Sequence, residues 1–158
     1  MLSLGLDIGA TKTHGLALDD KNQIVAESAM FTRRGEKGVL AVLMDTANSV
    51  AEKAGVGLRD FDGVGIGIPG VVDREAGAVT TAVNLQIEHL PLRDRIAKHF
   101  SSPVRIDNDV KVTVVAAGML LNSLSVTYMN FGTGVASATL AGRVIRGRDN
   151  MAGEIGSD

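Results

Sequence analysis

The chain has 158 residues, 45% of them hydrophobic and 22% charged, so it is long enough for a packed core and is not of disordered composition. A net charge of −2, no long basic run and an aromatic content of 3% argue against nucleic-acid binding. Cysteine is absent, which excludes disulfides and thiolate metal sites. No apolar run is long enough for a membrane span, so we expect a cytoplasmic protein without a membrane partner.

The first third of the chain predicts three strands and a helix. Apolar runs at 3–9, 13–19 and 23–31 predict a strand meander, and the Asp/Asn-rich turn between the last two indicates a hairpin. Apolar residues then recur at three- and four-residue steps from Val39 to Ala54, as in an amphipathic helix, and a glycine follows as a stop signal.

The middle of the chain predicts further strands and helices in alternation. The expected order is a strand at 61–68, a helix at 92–100 and a short strand at 104–106. The segment after Asp109 carries conflicting signals, because its valines favour a strand and its later Ala, Met and Leu residues favour a helix. We predict a helix that begins near Asp109.

Strands predicted at 124–131 and 134–140 begin a second meander. The combination of a hairpin edge with strand–helix–strand crossovers predicts an α/β fold, with a mixed sheet flanked by helices. We expect a first lobe at 1–113 and the beginning of a second, similar lobe at 114–158, with a cleft between them.

The turn after the first strand has the residue types of a phosphate site. Gly9 allows a tight turn with amides facing an anion, while Thr11 adds a hydroxyl donor and Lys12 a positive charge. Asp7 fits beside phosphate if a Mg2+ ion lies between them, bound through water. A plain β-turn with an incidental aspartate is the alternative.

A second turn of similar composition lies between the strands of the later meander. It consists of Gly132, Thr133 and Gly134. Any hairpin could use such a turn, but two of them, one in each lobe, could hold a triphosphate from opposite sides.

An Asn-Asp pair follows the strand at 104–106. Asp109 could take the proton of an alcohol that attacks phosphorus, and Asn108 could hydrogen-bond a second hydroxyl. Asn84 could do the same from its own loop. Helix capping is the alternative for the pair, because Asn and Asp are favoured N-caps.

Two glycine-containing loops complete the candidate site. Residues 65–70 match the dinucleotide pattern G-x-G-x-x-G, but no helix follows, so Gly70 is better interpreted as part of a rigid loop that lines a substrate cleft. Glu154 lies between glycines and could bind hydroxyls, with an exposed turn as the alternative.

Taken together, these motifs resemble the ROK family (repressors, open reading frames and sugar kinases) of the actin-like ATPase superfamily, which has a ribonuclease H-like fold. The matching segments, in chain order, are LGLDIGATKT, GIGIPGVVD, AVNL, VRIDNDV, NFGTGVASA and AGEIGSD. The resemblance covers essentially the whole chain.

The resemblance implies phosphorylation of a hexose or amino-sugar hydroxyl by ATP and Mg2+, in a protein that is a homodimer at full length. Asp109 would be the general base, and Asn84, Asn108 and Glu154 would bind the sugar. Asp7 would hold the magnesium shell. The ATP phosphates would be held by Gly9, Thr11, Lys12, Gly132, Thr133 and Gly134.

Two alternatives remain within the same resemblance. One is a sugar-responsive transcriptional regulator, although its DNA-binding domain would precede a strand that here begins at residue 3. The other is a module that binds ATP without catalysis, and we expect residues 1–158 alone to be weakly active or inactive. Ser157 replaces the family's zinc-binding histidine, which argues against a structural zinc site.

Overall fold

The computed structural model describes residues 1–131 and 135–153. Its strands are β1 (Ser3–Ile8), β2 (Lys12–Leu18), β3 (Ile24–Phe31), β4 (Gly63–Ile68), β5 (Val71–Asp73), β6 (Ala78–Ala82), β7 (Ile87–Leu90), β8 (Val104–Asn108), β9 (Ser125–Phe131), β10 (Val135–Ala141) and β11 (Arg143–Val144). Its α-helices are α1 (Gly35–Ala54), α2 (Leu92–Ala97) and α3 (Asp109–Leu120). No helix in the described ranges is long and apolar enough to cross a membrane.

A five-stranded mixed sheet is built from strands between residues 3 and 108. Its strand order is β3-β2-β1-β4-β8, with the first three strands antiparallel and with β1, β4 and β8 parallel. Alternation along β1 buries Leu4, Leu6 and Ile8 and leaves Gly5 and Asp7 on the other face. The predicted α/β class with a mixed sheet is therefore confirmed.

Helix α1 covers the apolar face of this sheet. Its residues Val39, Leu43 and Val50 are fully buried against the strands. The helix lies very near β2, because a Cβ atom at Gly15 would come within 3.1 Å of Val50 and nearer still to Thr46. A glycine at this point of β2 therefore lets the helix and the sheet approach each other closely.

A small second sheet, with strand order β5-β6-β7, spans residues 71–90. None of its strands is among those predicted from the sequence. The short helix α2 follows it and ends at Ala97, earlier than the predicted end at 100. This sheet places the loop at Gly70 beside the end of β6, where the backbone of Thr81 and Ala82 lies against it.

Helix α3 begins at Asp109, as predicted, although valines dominate its first half. It packs on a third sheet, with strand order β11-β10-β9, and Val110 and Val114 share a small core with Ala138. Burial against this sheet overrides the strand propensity of the valines. The proposed division after residue 113 falls within α3 and stays a prediction.

Candidate active site

Asp7 and Asp109 lie on either side of the same glycine. Asp7 pairs with Gly67 in the parallel ladder of β1 and β4. A Cβ atom at Gly67 would be 3.4 Å from Asp7 Oδ1, 3.6 Å from Asp109 Cα and 3.9 Å from Asp109 Cβ. The two acidic residues, predicted from separate motifs, therefore face each other across a floor that has no side chain.

The Asp7 carboxylate is accessible to ligands, although part of its surroundings is protein. Burial raises the pKa of Asp7 above its ordinary value, and the nearby His14 partly offsets this by lowering it. His14 is the cross-strand partner of Asp7 on β2. The ionised form of Asp7 is thus less stable than in water, and a bound cation would compensate for that loss.

The turn between β1 and β2 is fixed mainly through its carbonyl groups. Gly9 N–H donates to the Lys12 carbonyl at 2.8 Å, so this amide is used within the turn itself. The Thr32 hydroxyl donates to Gly9 O at 2.8 Å, and Thr32 N–H donates to Thr11 O at 2.9 Å. Ala10, Thr11 and Lys12 form the exposed tip of the turn. These exposed tip residues are accessible to a phosphate, and the predicted contact of Gly9 with phosphate stays a prediction.

Asp109 is the first residue of α3 and lines the cleft beside Asp7. One of its carboxylate oxygens, Oδ1, accepts the Val110 N–H at 2.9 Å, and its carbonyl accepts the Thr113 hydroxyl at 2.9 Å. The bond from Val110 restrains the rotation of the side chain, and the bond from Thr113 holds the backbone at the start of the helix. The position combines a partly exposed carboxylate with a rigid backbone.

Asn108 caps α3 and connects it to the loop at Gly70. Its Oδ1 accepts the Lys111 N–H at 3.1 Å, and its Nδ2 donates to the Gly70 carbonyl at 3.0 Å. The side chain is almost completely buried, with 3% exposure. Capping, the alternative given for this residue by the sequence, therefore describes the first of these bonds, while its predicted contact with sugar stays a prediction.

Gly70 and Asn84 lie close to this cap. Gly70 has φ +100 and packs against Ala82, two residues before Asn84. Asn84 is exposed in a short 3-10 helix between β6 and β7. The three residues predicted to contact substrate from the first lobe, Gly70, Asn84 and Asn108, thus belong to neighbouring segments.

The sequence did not single out Asp107 and two arginines that surround it. Arg146 binds Asp107 with both terminal nitrogens, at 2.9 Å to Oδ1 and 2.7 Å to Oδ2. Arg74 Nε lies 3.3 Å from Asp107 Oδ2. Strand alternation in β8 could have placed Asp107 on the cleft side, because Ile106 and Asn108 face the interior. The partners come from distant segments and leave no local signal.

A cavity of about 1100 Å³ is lined by Asp7, Asp107 and Asp109. The other predicted site residues in the described ranges do not line it, and these are Gly9, Thr11, Lys12, Gly70, Asn84 and Asn108. The charged and titratable lining residues of the cavity are Asp7, His14, Arg74, Arg105, Asp107, Asp109, Arg143 and Arg146. Within the described ranges, no group of three or more His, Cys, Asp or Glu residues is arranged to hold a metal ion by itself. The predicted site residues Gly132, Thr133, Gly134 and Glu154 lie outside the described residues.

The mixed sheet, the second meander after α3 and the acidic pair at one cleft define a protein of the actin-like ATPase fold. A ROK family glucokinase from Streptomyces griseus, solved with glucose and AMPPNP, matches 100% of this chain with TM-score 0.85 and 26% identity. A ROK hexokinase from Thermus thermophilus matches 98% with TM-score 0.81 and 27% identity. The chain covers 50% and 52% of these two structures.

The ROK family model matches residues 3–157, and the chain belongs to the ROK family. Its curated relatives include both regulators and enzymes. A xylose repressor from Caldicellulosiruptor bescii is 28% identical over 159 aligned positions, with 97% of this chain and 40% of the relative covered. A glucokinase from Halalkalibacterium halodurans is 27% identical, with 97% and 48% covered. The chain therefore spans about half or less of the length of these relatives.

Proposed function

We propose that the protein transfers the γ-phosphoryl group of ATP to a hydroxyl of a hexose or amino sugar. The observation that carries this proposal is the placement of Asp7 and Asp109 on either side of Gly67, at one cavity. One carboxylate is near the exposed tip of the predicted phosphate turn, and the other begins a helix beside the substrate loops. A nucleotide and an alcohol could therefore meet between them.

The residues present fit magnesium and ATP. Carboxylate oxygen is the ligand type that Mg2+ prefers, usually with several waters retained. A Cβ atom at Gly67 would partly fill the space beside Asp7, so the glycine leaves room there. When bound, the metal would neutralise charge on the phosphates. Asp7 would hold the hydrated ion, and Thr11 and Lys12 would contact the phosphates with a hydroxyl and an ammonium group.

Asp109 is proposed as the general base. Its carboxylate would accept the proton of the sugar hydroxyl as the hydroxyl oxygen forms its bond to phosphorus and the bond to the leaving nucleotide breaks. The N-cap and the Thr113 hydroxyl bond hold the backbone of Asp109, so little reorganisation would accompany proton transfer. Gly70, Asn84, Asn108 and Glu154 are proposed to face the sugar, and Gly132, Thr133 and Gly134 the phosphates.

The test is a transfer assay with radiolabelled ATP and a panel of glucose, mannose, N-acetylglucosamine, N-acetylmannosamine and xylose. We expect one sugar to be labelled by the wild-type chain in a sensitive single-turnover measurement. Asp109→Asn should reduce labelling at least about a thousandfold, because it removes the proton acceptor but retains the shape. The circular dichroism of the variant should match that of the wild type. If the wild-type chain labels a sugar measurably and the variant labels it equally, Asp109 is eliminated as the base.

A sugar-responsive regulator is the second candidate. Xylose repressors from two Caldicellulosiruptor strains are 28% and 29% identical to this chain. The same cleft could bind a sugar and use the binding energy to shift a conformational equilibrium. Saturation-transfer NMR with the sugar panel separates the two candidates. Sugar binding without any phosphoryl transfer supports the regulator, whereas MgATP binding alone supports a non-catalytic module.

The proposal includes a cytoplasmic homodimer, which rests on the family resemblance. Light scattering during gel filtration would measure the mass. Because the resemblance implies a homodimer at full length, a monomer of the full-length protein at all concentrations would contradict the proposed assembly without affecting the chemistry at Asp109.

A further inference from the structure

The two residues that lie two positions before and after Asp109 hold the same distant segment. Asp107 accepts two hydrogen bonds from Arg146, at 2.9 and 2.7 Å. Lys111 Nζ donates to the Asn150 carbonyl at 2.6 Å. Asp107 lies near the end of β8 in the five-stranded sheet, and Lys111 lies in the first turn of α3. The two contacts therefore flank Asp109.

The burial of these groups makes the contacts strong. The side chains of Asp107 and Arg146 are 16% and 22% exposed, and Lys111 is 2% exposed. A bidentate pair between a carboxylate and a guanidinium group is among the most directional contacts in proteins. A buried ammonium group also needs acceptors, because its removal from water is costly.

The far ends of both contacts lie in residues 145–153, which we name the clamped segment. Ile145 N–H donates to Thr139 O at 2.8 Å, and Ser137 N–H donates to Gly153 O at 2.8 Å, so β10 holds both ends. Ala152 N–H donates to Arg146 O at 2.9 Å and closes the segment on itself. The segment thus connects the third sheet to the start of α3.

We infer that Asp107 and Lys111 are positioning residues, which fix the clamped segment over the start of α3. Glu154, the proposed sugar ligand, directly follows this segment in the sequence, so we expect loss of the clamp to weaken sugar binding. This consequence for the sugar rests on the proposed function. That the two residues fix the clamped segment depends only on the contacts of Asp107 and Lys111.

Amide hydrogen exchange of the 158-residue chain, followed by NMR, tests the clamp. Asp107→Asn removes the charge at constant size, and Lys111→Met removes the ammonium group but retains most of the volume. We expect the amides of Ser137 and Ala152 to exchange at least about tenfold faster in either variant. Amides of β1 and β4 should keep their rates, and Asp107→Glu, which restores a carboxylate, should recover most of the protection.

Glu36→Gln is the matched control, because it removes an exposed ion pair with Arg95 at 2.9 Å, in another part of the fold. Its exchange rates in the clamped segment should equal those of the wild type. Unchanged exchange rates of the Ser137 and Ala152 amides in Asp107→Asn would overturn the inference. If Lys111→Met fails to fold, the result for Asp107→Asn alone is decisive.

Saturation-transfer NMR with glucose and xylose adds a readout that general stability would not change. If the wild type binds either sugar, Asp107→Asn should weaken binding at least about tenfold, while Glu36→Gln should not. Binding that persists in Asp107→Asn would contradict the role of the clamp in the sugar site. If the wild type binds neither sugar, hydrogen exchange alone decides the clamp, and the transfer assay with the full sugar panel decides the proposed function.

Discussion

Replacing Gly67 by alanine should separate ligand binding from stability. The added methyl group would lie 3.4 Å from Asp7 Oδ1 and 3.6 Å from Asp109 Cα, which are ordinary van der Waals distances. The folded chain therefore has room for it. Alanine in place of glycine within a strand is more stable by about 0.5–1 kcal/mol, because the unfolded chain loses conformational freedom. We expect Gly67→Ala to unfold at a slightly higher temperature than the wild type.

The same methyl group would occupy the floor between the two carboxylates. A hydrated ion or a phosphate oxygen bound there would have to move away from Asp7, and part of its coordination would be lost. A tenfold loss of affinity corresponds to about 1.4 kcal/mol, which is less than the loss of one hydrogen bond to a charged group. We therefore expect MgATP to bind Gly67→Ala at least about tenfold more weakly.

Gly65→Ala is the matched control. Gly65 lies on the same strand and face as Gly67, and a Cβ atom there would meet no atom within 4 Å. Isothermal titration calorimetry with a non-hydrolysable MgATP analogue would compare the three proteins, and thermal unfolding would report their stability. Equal affinity in Gly67→Ala and the wild type would refute the idea that the ligand uses this floor.

Two further changes test the electrostatics and the loops. Asp7→Asn should raise the thermal unfolding midpoint near neutral pH, because the raised pKa of Asp7 shows that its ionised form destabilises the fold. The difference in unfolding midpoint between the variant and the wild type should disappear as the pH falls below 3.8, because Asp7 is then protonated in both the folded and the unfolded state. Thermal melts that show the same difference at every pH would contradict this prediction. Gly70→Ala should destabilise the chain more than Gly142→Ala. Both glycines have positive φ, which costs about 1–2 kcal/mol for alanine, but only at Gly70 would the methyl group collide with the Thr81 carbonyl. Urea denaturation measures the free energy of unfolding of both variants. An equal loss of stability in the two would show that the Gly70 loop can move to accommodate the methyl group.

The elements of the fold could largely be predicted from local patterns. The period of the apolar residues in α1 gave its position, and the start of α3 at Asp109 was predicted despite its valines. The small sheet of β5, β6 and β7 was not among the predicted elements. Its strands are three to five residues long, too short for a clear alternation, and they are stabilised by contacts with each other.

The candidate site was predictable where a motif contains its own chemistry. The positions of Asp7 and Asp109 follow from strand ends, and parallel strands bring such ends to one edge of a sheet. The arrangement around Asp107 was not predictable, because Arg74 and Arg146 are 33 and 39 residues away from it in sequence. The hydrogen bond from the Gly9 N–H to the Lys12 carbonyl could not be predicted either, because it depends on the detailed geometry of the backbone.

Helix α3 begins at the end of a first-lobe strand and packs along its length on the third sheet. If that sheet rotates relative to the first, we expect the helix to turn with it about a point near its first residue. Asp109 lies at this pivot, where displacement is smallest, while the far end of the helix near Leu120 would sweep the largest arc. The Asp109 carboxylate could thus keep its position and direction while the third sheet rotates relative to the first.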